Sequence, residues 1–142
     1  NGMSDFAAMI SAGDMDRGLR RIKVCAVDDS RMILNIYKAT LHELGFEPVL
    51  FEFPAGALDW IAKEKPALVL TDLNMPEISG IELTRGIRKL YKAAELPVVM
   101  VTTQGDVQDH DAAREAGVDD ILIKPFNVNT LRTVTDKYIA SN

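Results

Sequence analysis

The sequence contains a single cysteine, Cys25, among its 142 residues. One cysteine excludes an internal disulfide framework and fits a reducing compartment, so we expect a cytoplasmic protein. Cys25 lies in an apolar strand pattern, which predicts a buried, inert thiol. No apolar run approaches the ~20 residues that a membrane helix needs. The beginning of the chain has Asp5 and lacks the basic segment of a signal peptide, so we expect that it is not one.

An excess of positive charge is also missing. The chain has 16 Lys and Arg residues against 21 Asp and Glu residues, which gives a net charge of −5. This balance argues against nucleic acid or an anionic membrane as the main partner. Apolar residues make up 47% and charged residues 26% of the chain, as is typical of soluble globular proteins. The length fits one compact domain.

Residues 1–21 predict an N-terminal extension that is separate from a domain at 22–142. Asn1–Gly2 precede Met3, which suits an initiator methionine, so we interpret the two residues as a cloning remnant. A short helix is indicated by apolar residues with one-sided spacing: Phe6, Met9 and Ile10. The extension is then either a loosely ordered tail or a short helix that docks on the domain or on a partner.

From Ile22 onward, short apolar segments alternate with amphipathic ones. Five segments rich in Val, Ile and Leu predict strands at 22–27, 48–53, 67–71, 97–101 and 120–123. Helix ends are marked by residues with capping or breaking chemistry: Gly45, Pro54, Ser79 with Glu82, and Asn127. Apolar strands that alternate with amphipathic helices are typical of a parallel sheet covered on both faces. We therefore predict an α/β, doubly wound fold with five helices and the flavodoxin-like strand order 2-1-3-4-5.

Polar side chains follow four of these strands, where the strands end. They are Asp28 and Asp29 after the first strand, Asp72 after the third, Thr102 after the fourth and Lys124 after the fifth. Ligands of a doubly wound sheet bind at this edge, beside the first and third strands. Two carboxylates about 4 Å apart repel by roughly 4 kcal/mol at an effective dielectric of about 20, so the cluster requires a cation or a retained proton. Oxygen-only donors favour a hard ion such as Mg²⁺.

This set of residues suits phosphoryl transfer, which needs positioning and charge neutralisation. Mg²⁺ and Lys124 would offset the phosphoryl oxygens, and the Thr102 hydroxyl would donate a hydrogen bond. Asp72 would attack as a carboxylate nucleophile and form an aspartyl phosphate. Taken alone, Asp28–Asp29 would also suit an exposed turn or a helix cap. Their coincidence with the other strand ends favours a metal site.

The motifs at the strand ends resemble those of response-regulator receiver domains of two-component signalling, whose fold is called CheY-like. The resemblance covers about residues 22–139. It rests on Val27–Asp28–Asp29, Thr71–Asp72 with Met75–Pro76 and Gly80, Val101–Thr102, and Ile123–Lys124–Pro125–Phe126. It implies a switch, not a metabolic enzyme: a histidine kinase or phosphotransfer protein would phosphorylate Asp72, and slow self-hydrolysis would reset it.

The resemblance also implies a role for each residue of the metal site. Asp29, Asp72 and the backbone carbonyl of Asn74 would bind Mg²⁺ directly, and Asp28 would act mostly through water. Lys124 would contact the phosphoryl group, and its peptide bond to Pro125 would be cis.

A switching role is implied for Thr102, which would move toward the phosphoryl group. A downstream protein would read that change on a face built from the fourth helix, at about 106–116, the fifth strand and the fifth helix. Such domains generally carry Tyr or Phe where this sequence has Ile121, so coupling would rest on Thr102, the loop before the fourth helix or another aromatic residue. Asn74 and Gln104 stand where side chains influence attack by water, and two neutral amides predict no unusually long-lived phosphate.

Two functions of other classes remain as alternatives. A phosphatase of the haloacid-dehalogenase type needs a second Asp two residues after its nucleophile, where this sequence has Asn74. A flavodoxin-like flavin carrier needs a phosphate-binding loop after the first strand, where Asp28 and Asp29 would repel the flavin phosphate. The switch fits better than either. The switch would act on a flagellar motor, in a phosphorelay or as a phosphate sink, and the sequence does not choose among these. The chain is either a stand-alone protein or a receiver from a longer regulator.

Overall fold

The computed structural model of the protein describes residues 21–103 and 107–139, in which five strands and five helices alternate. The strands are β1 (Lys23–Val27), β2 (Glu47–Phe51), β3 (Leu68–Thr71), β4 (Val98–Thr102) and β5 (Asp120–Ile123). The helices are α1 (Arg31–Glu43), α2 (Pro54–Glu64), α3 (Gly80–Leu90), α4 (Val107–Ala116) and α5 (Val128–Tyr138). The short helix predicted in the N-terminal extension lies outside the described residues.

The strands form one parallel sheet with the order β2-β1-β3-β4-β5. This confirms the predicted doubly wound fold, its strand order and its five helices. The strand bounds differ slightly from the prediction. Thr102, which was expected to begin a loop, is the last residue of β4 because it pairs with Ile123 of β5. Glu47 begins β2 because its N–H donates to the Ile22 carbonyl, 2.8 Å away.

The helices cover both faces of the sheet, and side chains that alternate along the strands form two apolar layers. The layer under α1 and α5 contains Tyr37, Leu41 and Leu131. The opposite layer, under α2, α3 and α4, contains Ile61 and Ile87 among others. Within the described ranges, no helix combines the length and the apolar character needed to cross a membrane.

Local signals begin the helices where the sequence predicted them. The Ser79 hydroxyl accepts a hydrogen bond from the Glu82 N–H, and the Glu82 carboxylate accepts one from the Ser79 N–H, which forms the predicted capping box of α3. Asn127 caps α5, and Pro54 is the first residue of α2. Cys25 is fully buried, and burial raises the pKa of its thiol far above the usual value. The predicted burial of the thiol is therefore confirmed.

Arg88 ties α3 to the sheet edge opposite the predicted site. Its guanidinium donates to the carbonyls of Leu96 at 2.7 Å and Gly117 at 3.0 Å, and to the Asp119 carboxylate at 2.9 Å. The same Asp119 oxygen accepts the Val98 N–H at 2.8 Å. One partly buried ion pair thus holds together the beginning of β4, the end of α3 and the α4–β5 loop.

We expect Arg88→Met to lower the free energy of unfolding by about 2–3 kcal/mol, because two carbonyls and the Asp119 carboxylate lose their donor. Urea denaturation measures the change. Arg85→Met is the matched control, since Arg85 is an exposed arginine of the same helix with no such contacts. Equal losses for the two variants would show that the Arg88 contacts contribute little.

Candidate functional site

The polar residues predicted at the strand ends lie together at the carboxyl edge of the sheet. The hydrogen-bond ladder continues one residue beyond β1 and β3. The Asp28 N–H donates to the Phe51 carbonyl at 3.1 Å, and the Asp72 N–H donates to the Val27 carbonyl at 3.0 Å. Both aspartates are therefore held by the backbone of the sheet itself. Their side chains stand at the point where the sheet is open to a ligand.

Three carboxylates form a cluster at this edge. Oxygen atoms of Asp28, Asp29 and Asp72 lie within 4.8 Å of one another. Asp28 is buried, with 1% of its surface exposed, and Asp29 is exposed. Ser30, not either aspartate, caps α1, because its hydroxyl accepts the Ile33 N–H at 3.3 Å. Oδ1 of Asp28 accepts the Ser30 N–H at 2.9 Å in the turn before the helix. The oxygen-only donor set of the cluster fits a hard divalent cation.

Lys124 brings a positive charge into the cluster. Its Nζ lies 2.7 Å from Oδ2 of Asp28 and 3.5 Å from Oδ2 of Asp72. Its backbone N–H donates to the Thr102 carbonyl at 2.8 Å, which anchors the end of β5 to the end of β4. The Lys124–Pro125 peptide bond is cis, as the resemblance implied. One ammonium group thus offsets part of the repulsion among the carboxylates.

The Asp72 carboxylate is confined but reachable, with 13% of its side chain exposed. Oδ1 accepts the Leu73 N–H at 2.8 Å. Burial raises the pKa of Asp72 above its usual value; the ammonium of Lys124 counters that rise, and the charge of Asp28 adds to it. The ionised form of Asp72 is therefore held at a cost in folding free energy, which a further cation would reduce.

This cost predicts that Asp72→Asn unfolds at a higher temperature than the wild type at neutral pH without metal. The pKa of Asp72 is higher in the folded than in the unfolded state, so ionisation favours unfolding above that folded pKa. The advantage of the variant should be complete above the folded pKa and should vanish as the pH falls toward the unfolded value near 3.8. Thermal melts across pH test this, and a pH-independent difference would contradict it.

The beginning of α3 lies directly against the backbone of Asp72. The Gly80 N–H donates to the Leu73 carbonyl at 2.8 Å, and the Thr71 hydroxyl donates to the Asp72 carbonyl at 3.0 Å. A Cβ at Gly80 would overlap that Asp72 carbonyl oxygen. Gly80 is therefore the residue that allows α3 to approach the site so closely. The sequence motif included Gly80, but no local pattern indicated the backbone it contacts.

Three of the four residues with predicted switching or modulating roles belong to the described part of the chain. Thr102 is buried at the end of β4, and Ile121 is partly buried in β5 beside Met100 of β4. Asn74 is exposed in the β3–α3 loop, two residues after Asp72. Gln104 lies outside the described residues. The roles of these positions, and of the Asn74 carbonyl as a metal ligand, stay predictions.

A model of the response regulator receiver domain matches residues 24–136. The chain belongs to this family. Over 124 residues it is 34% identical to chemotaxis protein CheY1 of Helicobacter pylori, an alignment that covers 85% of this chain and 99% of that protein. It is 39% identical over 113 residues to the chemotaxis protein CheY homolog of Campylobacter jejuni, covering 78% and 87% of the two chains. The solved structure of Vibrio cholerae CheY4 superposes with a TM-score of 0.78 at 28% identity, over 84% of this chain and 99% of that one.

Membership confirms the resemblance to CheY-like receiver domains of two-component signalling. The receiver domain is accordingly a phosphorylation-activated signalling domain and not a classical enzyme. Its family works with kinases or phosphotransfer proteins on one side and with downstream targets on the other. In the described part of the chain, the acidic cluster beside Lys124 combines carboxylate oxygens with one ammonium group.

Proposed function

We propose that the receiver domain accepts a phosphoryl group on Asp72 from a histidine kinase or a phosphotransfer protein, and that hydrolysis of the aspartyl phosphate resets it. The convergence of Asp72 with two further carboxylates and one ammonium group at a single sheet edge carries this proposal. A partly exposed carboxylate on a rigid strand end can be reached by a donor, while its neighbours supply charge of both signs.

The contacts of Asp72 support its role as the nucleophile. The Leu73 N–H engages Oδ1, and Oδ2 lies beside the ammonium of Lys124. An ionised carboxylate needs no general base: its oxygen bonds to phosphorus while the bond from phosphorus to the donor atom breaks. The donor leaves with that electron pair. Lys124 stands where it can offset the charge on the phosphoryl oxygens during this exchange.

The three carboxylates fit Mg²⁺ as a bound ion. Asp29 and Asp72 would hold it, together with the backbone carbonyl of Asn74, and Asp28 would act mostly through water. When bound, Mg²⁺ would offset the negative charge of the carboxylates and of the phosphoryl oxygens. The support is the chemistry of the donor set, which consists of oxygen atoms within 4.8 Å of one another and contains no soft ligand.

Output through the face formed by α4, β5 and α5 is part of the same proposal. Thr102 ends β4, and its carbonyl accepts the Lys124 N–H, so a change at Thr102 is one contact away from the end of β5. Pull-down with and without beryllofluoride, a phosphoryl mimic, tests whether binding depends on phosphate. Identical sets of captured proteins would contradict phosphate-gated output.

The decisive experiment treats the receiver domain with acetyl phosphate and follows its intact mass. With Mg²⁺ we expect the mass to increase by one phosphoryl group and to return to the starting value after the donor is removed. With EDTA in place of Mg²⁺ we expect little or no increase. A wild-type protein that gains no phosphoryl mass under either condition would refute the proposed function.

A further inference from the structure

A stacked aromatic pair links the helix that follows the acidic loop to the segment that follows Lys124. The ring of Tyr37 stacks on the ring of Phe126, with centroids 4.6 Å apart and planes inclined by 21°. Tyr37 belongs to α1, the helix that begins immediately after the acidic Asp28–Asp29 loop. Phe126 stands two residues after Lys124. The pair therefore connects the element that carries the acidic groups with the segment that carries the cation.

We propose that Tyr37 is a positioning residue for Lys124: its ring holds Phe126, and through Phe126 it keeps the Lys124 ammonium beside Asp28 and Asp72. This inference rests on the proposed function, since it assigns Tyr37 a part in the same phosphoryl transfer. The contact that carries this role is the stacking of the Tyr37 ring on the Phe126 ring. Its effect is on where the ammonium stands.

The backbone between Phe126 and Lys124 is short, so a shift of Phe126 reaches Lys124. Only Pro125 separates Phe126 from Lys124, and the proline ring restricts the backbone rotation at that residue. The backbone N–H of Lys124 is held by the Thr102 carbonyl on one side, so a displaced Phe126 changes the position of Lys124 through its carbonyl side, which is bonded to Pro125. The Lys124 side chain is only 12% exposed, and its ammonium lies 2.7 Å from Asp28 and 3.5 Å from Asp72, so a shift of its backbone changes these two contacts.

The ring, and not the hydroxyl, carries the effect. Tyr37 is 1% exposed, and within the described ranges its hydroxyl makes no hydrogen bond. Burial raises the pKa of that hydroxyl well above its usual value, and the charges of Asp28 and Asp72 raise it further, so it stays neutral. A buried hydroxyl without a partner adds no stability. Tyr37→Phe should therefore keep both the fold and the placement of Lys124.

The test compares rates of phosphoryl uptake from acetyl phosphate with Mg²⁺. We expect Tyr37→Leu to react about tenfold more slowly, because misplacing a charged group in the site is costly. Tyr37→Phe should react like the wild type. Leu41→Ala is the matched control: Leu41 is fully buried on the same helix and in the same apolar layer, so its loss weakens packing without removing the ring contact. It should be less stable but should react at the wild-type rate while folded.

A double-mutant cycle then tests the route through Lys124. If Tyr37 acts by positioning Lys124, Tyr37→Leu should slow the Lys124→Gln variant much less than it slows the wild type. Three results would each overturn the inference. Tyr37→Leu could slow phosphoryl uptake equally in the wild type and in Lys124→Gln. Leu41→Ala could slow uptake as much as Tyr37→Leu does, or Tyr37→Phe could react slowly. If Tyr37→Leu does not fold, Phe126→Leu removes the same contact and takes its place. A wild type that takes up no phosphoryl group refutes the proposed function; a wild type that reacts no faster than Tyr37→Leu refutes only this inference.

Discussion

Asp72→Asn is expected to gain no phosphoryl mass from acetyl phosphate and Mg²⁺, while the wild type is labelled. The amide has nearly the shape of the carboxylate, and its oxygen can still accept the Leu73 N–H, so the loop should keep its conformation. What is lost is the charged oxygen that attacks phosphorus. We expect labelling below about 1% of the wild-type level, the scale of loss seen when a nucleophile is removed.

The matched control for this result is Asp59→Asn, which neutralises an exposed aspartate of α2. It changes the net charge by the same amount, so it should be labelled like the wild type. Equal labelling of Asp72→Asn would show that the acceptor is misassigned. Peptide mapping would then decide whether Asp28 or Asp29 carries the group instead.

Gly80→Ala is expected to cause the largest loss of stability, about 3 kcal/mol, together with slower phosphoryl uptake. Its new methyl group would overlap the Asp72 carbonyl oxygen and crowd the end of the Met100 side chain, 3.2 Å away. The obstacle is backbone, which cannot rotate aside as a side chain can. Either α3 or the Asp72 loop must move, and each movement disturbs the site. Urea denaturation and the intact-mass assay measure the two effects.

Gly56→Ala provides the control for that substitution. Gly56 lies within α2, and a Cβ there would meet only the Phe51 ring at 3.7 Å, an ordinary contact. Because alanine favours a helix interior more than glycine does, this variant should be as stable as the wild type or up to about 1 kcal/mol more stable. A Gly80→Ala variant that behaves like Gly56→Ala would contradict the close approach of α3.

Much of the site could be predicted because a parallel sheet brings its strand ends to one edge. Asp28, Asp72 and Lys124 are far apart in sequence, yet each follows an apolar segment whose pattern predicts a strand; β3 is fully buried, whereas β5 is only partly buried. The order of the strands then determines which ends are neighbours. Ser30 shows the limit of such reasoning: the sequence left a helix cap open as a role for Asp28–Asp29, whereas in the structure the Ser30 hydroxyl accepts the Ile33 N–H and caps α1.

The Arg88 contacts could not be predicted in this way. An arginine near the end of an amphipathic helix is typical of a solvated charge, and its partners Leu96 and Asp119 lie 8 and 31 residues away. Nothing in the local pattern distinguishes Arg88 from the exposed Arg85. The difference between them arises only when α3 packs between the beginning of β4 and the α4–β5 loop.

By itself, the sequence determined the doubly wound fold, the edge of the sheet where the polar groups meet and the chemistry those groups can support. These follow from the periodic pattern of apolar residues and from side-chain type, which are properties of short segments. Only the tertiary structure decided that Tyr37 stacks on Phe126 and that Gly80 lies against Asp72. Such contacts depend on how α1, α3 and the β5–α5 segment are placed relative to one another, and that placement results from the packing of the whole core.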